Sequence, residues 1–178
     1  MIPLLLNLAL FSPADVVLAG LSNGTDTLVS NTTQVLGFIA GESNYALNSV
    51  RLFGNGTGTA SITFRLNDAG GNQLAFGGTY LNSTLSNTGT DFSLSPSPIG
   101  AYTLAIGTGY QLQMDFSGSL YMYEANAGVY QTRGWQESAS PGFKYSLDVA
   151  AVPEPGTLLL GILLALFGVG VWGWRVYV

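Results

Sequence analysis

The 178-residue chain contains no cysteine and no histidine. The absence of cysteine excludes disulfide bonds and thiol chemistry. The absence of histidine excludes a Ser-His-Asp or Cys-His nucleophile system and the commonest zinc-ligand sets. The sequence also lacks a P-loop, a dinucleotide-binding fingerprint and a G-x-S-x-G nucleophile elbow. These absences leave carboxylates as the candidate catalytic groups, and we predict that the protein uses no cofactor.

Charged residues are scarce as well. They make up 8% of the chain, against about a quarter in an average soluble domain. The formal net charge is −5, so no basic patch is available through which counterion release would drive nucleic-acid binding. The middle of the chain is polar instead through Ser, Thr, Asn, Gln and Gly. This composition favours an extracytoplasmic protein and excludes nucleic acid as an expected partner.

An apolar run of 19 residues without a charge extends from Gly156 to Trp174. As a helix it would be about 28 Å long, close to the hydrocarbon thickness of a bilayer, and it lacks the polar stripe of a buried core helix. Trp172 and Trp174 lie where an interfacial aromatic belt is expected, and Arg175 is the only charge beyond them. We predict a transmembrane helix over 156–174, with the C-terminus in the cytoplasm and the preceding domain outside.

Pro153, Glu154 and Pro155 lie directly before this apolar run. Proline fixes φ, lacks a backbone donor and biases the residue before it toward extended conformations, so an extended linker is expected. One interpretation is a plain spacer in a permanently anchored surface protein. The order Pro-Glu-Pro, apolar helix and terminal basic residue, over 152–178, also resembles the PEP-CTERM sorting signal of Gram-negative bacteria that make exopolysaccharide.

This resemblance implies recognition by an exosortase, a membrane-embedded cysteine protease and transpeptidase that cleaves near the motif. The protein would first be inserted in the inner membrane and then reach the cell surface or the extracellular matrix. The family's tail usually carries several arginines, whereas this chain has Arg175 followed by Val176, Tyr177 and Val178.

The N-terminus carries a second apolar run, over 2–11, followed by small residues. This pattern is typical of a signal peptide, although the basic n-region is missing, as in a truncated signal. Cleavage after Ala14 or after Ala19 would each follow a small residue. We favour Ala19, which bounds a signal-peptide-like segment over 1–19. The alternative is a first β-strand over 16–18.

Between the two ends, over 20–151, apolar and polar residues alternate in several short segments, most strictly over 61–66, 110–116 and 143–149. Alternation with a period of two predicts half-buried strands of antiparallel sheets, and clusters of Gly, Asn, Asp and Pro predict the turns between them. We therefore predict an all-β ectodomain, an antiparallel β-sandwich of jelly-roll type, with no helix before the tail. Further strands are expected over 27–30, 35–39, 47–53, 74–80, 92–94, 101–105, 119–123 and 129–135.

Four segments of this region, 28–31 (LVSN), 45–50 (YALNSV), 64–68 (FRLND) and 110–112 (YQL), resemble the choice-of-anchor domains of exported bacterial proteins. The resemblance implies a β-sandwich of unassigned biochemical role and brings no active site.

The domain offers three kinds of candidate functional side chain. A glycoside hydrolase needs two carboxyl groups about 5 to 10 Å apart, and Asp115, Glu124 and Glu137 are the candidates, but alternation places Asp115 on a solvated strand face. We predict no catalytic residue and no enzyme activity. Asp68, in the turn 67–72, offers oxygen ligands of the kind that calcium prefers, but it is a single carboxylate, and a hairpin turn is the preferred interpretation.

The third kind is aromatic. Alternation is expected to turn Tyr121 and Tyr123 outward from their strand, and Tyr130 and Trp135 lie nearby in the sequence. Exposed aromatic rings can stack on sugar rings, so these four residues are candidate carbohydrate-binding residues. Burial in the core explains them equally well.

Together these features predict an exported cell-surface or exopolysaccharide-matrix protein, sorted by an exosortase, with a structural or adhesive and non-catalytic role. The alternatives are a carbohydrate-binding module of the matrix, a permanently anchored surface protein, and a carboxylate-dependent glycoside hydrolase. The expected partners are the exosortase, the membrane and exopolysaccharide.

Overall fold

The computed structural model describes residues 15–94, 98–131, 133–139 and 142–152. This part of the chain forms ten strands and one short helix. The paired strands run antiparallel, which confirms the predicted all-β, antiparallel fold. In chain order the elements are β1 (Asp15–Ser30), β2 (Thr33–Ile39), β3 (Tyr45–Leu52), β4 (Gly54–Asp68), β5 (Gln73–Ser83), β6 (Thr90–Ser93), α1 (Pro98–Ala101), β7 (Thr103–Leu104), β8 (Gly109–Gln131), β9 (Gln136–Ala139) and β10 (Tyr145–Ala151).

Neighbouring strands follow the order β5-β4-β8-β1-β10-β3-β6. Outside this path, β2 pairs with β8 and β9, and β7 pairs with β3. The 23-residue strand β8 holds the arrangement together. Its first half lies between β4 and β2, and its residues 119–122 lie between β4 and β1. A single strand therefore belongs to both halves of the sheet.

The sheet bends so that its distant strands face each other across an apolar core. Phe64 of β4 and Phe92 of β6 pack with their ring centroids 5.4 Å apart, and Tyr80 of β5 lies edge-on to both rings. Because β4 and β6 are far apart in the strand order, this contact joins two layers. Phe38 of β2 and Trp135 pack in the same core. The described residues therefore form a β-sandwich-like domain.

The alternation that predicted the strands also identifies their buried faces. Ile62, Phe64 and Leu66 of β4 are fully buried, as are Leu112 and Met114 of β8. Each large apolar side chain that is moved from water to the core contributes about 1.5 to 3 kcal/mol to stability. The inward positions named by the sequence pattern therefore supply much of the core.

The predicted strands over 110–116 and 119–123 belong to one strand in the structure, β8, which ends at Gln131 and so includes only the first three residues of the predicted strand 129–135. The chain does not turn at Gly118, although this residue has a φ of 111°. A Cβ at Gly118 would lie 2.6 Å from the carbonyl oxygen of Thr59, so glycine is required there to let β4 approach. In the sequence this glycine indicates a turn between two strands. In the structure it allows one long strand to stay paired with β4.

Helix α1 was not predicted, and it ends at Ala101, where a strand was expected to begin. Pro98 stands at its first position, where the missing backbone donor costs nothing. Ile99 anchors the helix because its side chain is fully buried. A helix of only four residues is too short to show a periodic apolar pattern. The contact that holds it, through Ile99, is made with strands distant in the sequence, so the local sequence does not reveal it.

The predicted boundary after Ala19 falls inside β1. Asp15 pairs with Val149 of β10, and Ala19 pairs with Ser146. Cleavage after Ala19 would remove paired residues from a strand that has neighbours on both sides, whereas cleavage after Ala14 would leave β1 intact. The apolar run over 2–11 lies outside the described residues.

In the part of the chain that the structure describes, no helix has the length and apolar character needed to cross a membrane. The transmembrane helix predicted over 156–174 lies outside those residues.

We predict that Gly41→Ala destabilises the domain, because a Cβ at this buried position would lie 2.1 Å from the carbonyl oxygen of Arg133 and 2.5 Å from Cδ1 of Trp135. Overpacking of this kind costs about 1 to 3 kcal/mol. The measurement is urea denaturation followed by circular dichroism. Gly109→Ala is the control, since its Cβ would meet only the Ala69 methyl group, at 3.3 Å. Equal stability of the two variants would contradict the prediction.

Candidate functional site

Tyr121 and Tyr123 project from the side of β8 that faces away from the core. Their neighbours Leu120 and Met122 are fully buried on the opposite side, and both tyrosines are partly buried. Tyr121 is paired across the strands with Leu28 of β1, whose side chain is 53% exposed. This outer face of the sheet therefore presents two aromatic rings and one aliphatic side chain to solvent.

Trp135 does not share this face. Its side chain is 1% exposed, and its ring packs against Phe38 and Tyr45, with centroid distances of 5.5 and 5.2 Å. After β8 ends, Gly134 adopts a φ of 72° and returns the chain toward the core. The Nε1–H group of Trp135 has no hydrogen-bond partner among the described residues. For Trp135 the alternative of core burial is therefore the correct one.

For Tyr130 the structure describes the backbone, which pairs with Ala19 of β1. Of the four candidate carbohydrate-binding residues, the structure therefore brings Tyr121 and Tyr123 together on one face.

Asp115 lies further along the same outer face, at the centre of a polar network that spans three strands. Its carboxylate forms an ion pair with Arg65 of β4. It also accepts hydrogen bonds from Thr33 of β2, at 2.7 Å, and from Gln113, at 2.9 Å. Asn67 donates to Gln113 at 3.0 Å and is itself 3% exposed. The carboxylate therefore ties β2, β8 and β4 together through their side chains.

Glu124 and Glu137 also accept hydrogen bonds from side chains that lie close to them in space. Glu124 accepts hydrogen bonds from the hydroxyl groups of Thr25 and Thr27 of β1. Glu137 accepts one from the Tyr145 hydroxyl at 2.6 Å. Burial, together with this bond to Glu137, raises the pKa of Tyr145. Glu124 thus links the neighbouring strands β8 and β1, whereas Glu137 links β9 to β10, with which β9 is not paired.

The predicted carboxylates do not form a hydrolase pair along β8. Asp115 and Glu124 lie in the same strand, nine residues apart. At about 3.3 Å per residue this corresponds to some 25 to 30 Å, well beyond the separation of about 5 to 10 Å that glycosidases use. Asp115, moreover, already accepts hydrogen bonds or an ion pair from three neighbouring side chains. The arrangement bonds three neighbouring strands to one another through the Asp115 carboxylate.

Asp68 caps the turn between β4 and β5. Its Oδ1 atom accepts hydrogen bonds from the backbone N–H groups of Gly70 and Asn72, and its Oδ2 atom accepts one from the Asn72 side chain. These bonds, led by the one from the Asn72 side chain, lower the pKa of Asp68. Within the described residues no group of three or more metal-ligating side chains occurs. The preferred interpretation of the sequence, a hairpin turn, therefore accounts for every bond that Asp68 makes here.

The residues of the predicted sorting signal, Pro153, Glu154 and Pro155, lie outside the described residues, as do Trp172, Trp174 and Arg175. The structure does describe how the domain ends before them. Ala151 is the last residue of β10, and the N–H group of Val152 donates a hydrogen bond of 2.8 Å to the carbonyl oxygen of Asn44.

The sequence pattern did not predict that the residues around Asp115 would form one hydrogen-bonded network. Alternation placed Arg65 and Asp115 on the polar faces of their own strands, but the pattern in one strand does not reveal which strand will lie beside it. Register decides that Thr63 and Thr33 flank Asp115 from the two sides.

Compared with models of known protein families and with curated proteins, the chain gives no match.

We predict that Asp115→Asn lowers the free energy of unfolding by about 1 to 2 kcal/mol, because hydrogen bonds to a charged group are lost and Arg65 loses its partner. Urea denaturation at neutral pH measures the change. Glu42→Gln, the same substitution type at an exposed site, is expected to stay within about 0.5 kcal/mol of the unmodified chain. An Asp115→Asn variant with an unchanged free energy of unfolding would show that the network does not hold the strands together.

Proposed function

We propose that this chain is an exported cell-surface or exopolysaccharide-matrix protein with a non-catalytic, structural or adhesive β-domain. In this proposal the domain is a jelly-roll-like sandwich, the run over 156–174 is a transmembrane helix, and an exosortase recognises Pro153-Glu154-Pro155.

The observation that carries the proposal is the junction between the domain and this motif. Strand β10 lies between β1 and β3, and its last residue, Ala151, is paired with Tyr45. Val152 is still bonded to the backbone of Asn44, and the next residue is Pro153. Proline cannot extend a ladder because it lacks the N–H group. This abrupt change supports a folded domain that ends at Val152 and a separate signal that follows it.

The bonding of the carboxylates supports a non-catalytic role. Asp115, Glu124 and Glu137 each accept hydrogen bonds from side chains of neighbouring residues. Each carboxylate therefore has a structural use that explains its presence. Histidine, the commonest general base, and the cysteine thiol nucleophile are both missing from the chain.

Export is the third part of the proposal. Because residues 15–19 pair with β10, we now place the end of the signal-peptide-like segment at Ala14, so that cleavage spares β1. Periplasmic or extracellular folding would then start with an intact first strand.

The test is mass spectrometry of the mature C-terminus in a bacterium that contains an exosortase. We expect the unmodified protein to end near 153–156. The triple variant Pro153→Ala, Glu154→Ala and Pro155→Ala should keep Val178, because the recognition element has been removed. Pro98→Ala, which changes a proline of helix α1, should be processed normally. An unmodified protein that retains Val178 would refute sorting and indicate a permanent anchor.

Polysaccharide binding is a second candidate function, and the outer face of β8 favours it. Tyr121 and Tyr123 lie two residues apart on that face, which puts their Cα atoms about 7 Å apart. Polar side chains of the Asp115 network continue the same face along β8. Aromatic rings beside a row of donors and acceptors can provide both stacking and hydrogen bonds for sugars.

We expect the double variant Tyr121→Ala and Tyr123→Ala to lose retention on polysaccharide extracted from the producing bacterium, with an unchanged circular dichroism spectrum. Loss of two stacking rings removes the apolar contacts without touching the core. Ile106→Ala, which removes an exposed apolar side chain elsewhere, should bind as before. Equal retention of the unmodified protein, the double tyrosine variant and Ile106→Ala would refute polysaccharide binding through this face.

A further inference from the structure

Strand β5 forms one end of the strand order and is 11 residues long. One of its edges pairs with β4. Among the described residues no strand pairs with its other edge. An edge strand offers a row of backbone donors and acceptors on which another strand can be added. The opposite end of the strand order, β6, has only four residues.

Exposed apolar side chains are concentrated on β5. The described part of the chain has five exposed large apolar side chains, and three of them belong to this strand: Leu74, Phe76 and Leu81, which are 38%, 43% and 74% exposed. Ala75 and Gly77 are buried, so alternation directs Phe76 away from the core. A concentration of apolar surface on a sheet edge marks a site of association.

The sequence of β5 lacks charged residues and proline, which are two of the features that prevent edge pairing. Gln73–Ser83 contains no Asp, Glu, Lys, Arg or Pro. Edge strand β6, in contrast, carries Asp91, which forms a bidentate ion pair with Arg51 at 2.6 Å. Hydrogen bonding from Arg51 lowers the pKa of Asp91, and both charged side chains lie at this end of the strand order.

We propose that β5 pairs with β5 of a second copy of this chain, antiparallel and related by a twofold axis. In such an isologous contact the same patch of both copies meets itself, so residue i of one copy lies beside residue j of the other and residue j beside residue i. A charged residue near the axis would therefore lie close to its own copy, whereas the uncharged β5 can meet itself without repulsion. The absence of charge thus favours a second copy over a charged partner.

The position of the axis follows from the regularity of the strand. The β4–β5 pairing has three register shifts, and the uninterrupted pairs at mid-strand are Phe64 with Gly78, Thr63 with Thr79, and Ile62 with Tyr80. Pairing with a second copy requires a regular stretch, which places the axis near Thr79. The apolar side chains Leu81 and Phe76 lie on either side of it, so Leu81 of each copy approaches Phe76 of the other.

This inference goes beyond the proposed sorting and does not depend on it. A matrix protein that pairs edge to edge would join two sheets into one continuous sheet. The dimer can be measured on the unprocessed chain, so a failure of sorting and a failure of pairing give different results.

The first experiment uses the fact that the chain has no cysteine, which makes a single introduced thiol unique. The full chain is purified in detergent as the Thr79→Cys or the Ile106→Cys variant and mildly oxidised. A disulfide needs Cα atoms within about 7 Å of each other. Thr79→Cys should therefore form a cross-linked dimer, and Ile106→Cys, exposed on a turn away from β5, should stay monomeric. Equal yields from the two variants would overturn the proposal.

The second experiment places a charge on the edge. Leu81→Lys should weaken dimerisation about tenfold or more, because each lysine would have to lose hydration against the apolar side chain of Phe76 from the other copy. Ile106→Lys makes the same change at a 58% exposed apolar residue outside β5 and should leave dimerisation unchanged. Analytical ultracentrifugation in detergent gives both dissociation constants, and circular dichroism verifies folding. A dimer that survives Leu81→Lys would belong to another surface, such as the apolar tail, and would refute pairing through β5.

Discussion

The backbone pairing of β8 with β4 along one edge, and with β2 and then β1 along the other, holds the two layers in one hydrogen-bonded sheet. The pairing of β8 with β4 continues through the middle of the strand because Gly118 adopts a φ of 111° and has no side chain that would collide with β4. Within the described residues, the outer polar network around Asp115 depends on this pairing, because it places β2 and β4 on the two sides of the same stretch of β8.

Because β8 crosses the domain, its outer face collects side chains from strands that are far apart in the sequence. Asp115 is bonded to Thr33 and Arg65, which come from strands on opposite sides of β8. These bonds use the carboxylate to order the sheet, and the tyrosines further along the strand remain partly exposed. The same strand thus carries both the polar network and the partly exposed tyrosines.

Prediction succeeded where the signal is local and failed where it depends on pairing. Alternation identified the buried faces of β4 and β8, because in a strand successive side chains point to opposite sides whatever lies beside them. It gave no information on neighbours, so the network around Asp115 and the burial of Trp135 were not predicted as such. The boundary after Ala19 rested on residue size, which carries no information on the pairing of Asp15 with Val149.

By itself the sequence determined the class of the fold, the inward positions of its strands, the absence of histidine and cysteine chemistry, and the abrupt change at Pro153. All of these depend on residue type and on short-range periodicity. Tertiary structure alone decided which strands are neighbours and which strand forms the edge. It therefore also decided that Tyr121 faces outward while Trp135 is enclosed by Phe38 and Tyr45. Those outcomes depend on contacts between residues remote in the chain, for which a strand's own pattern carries no signal.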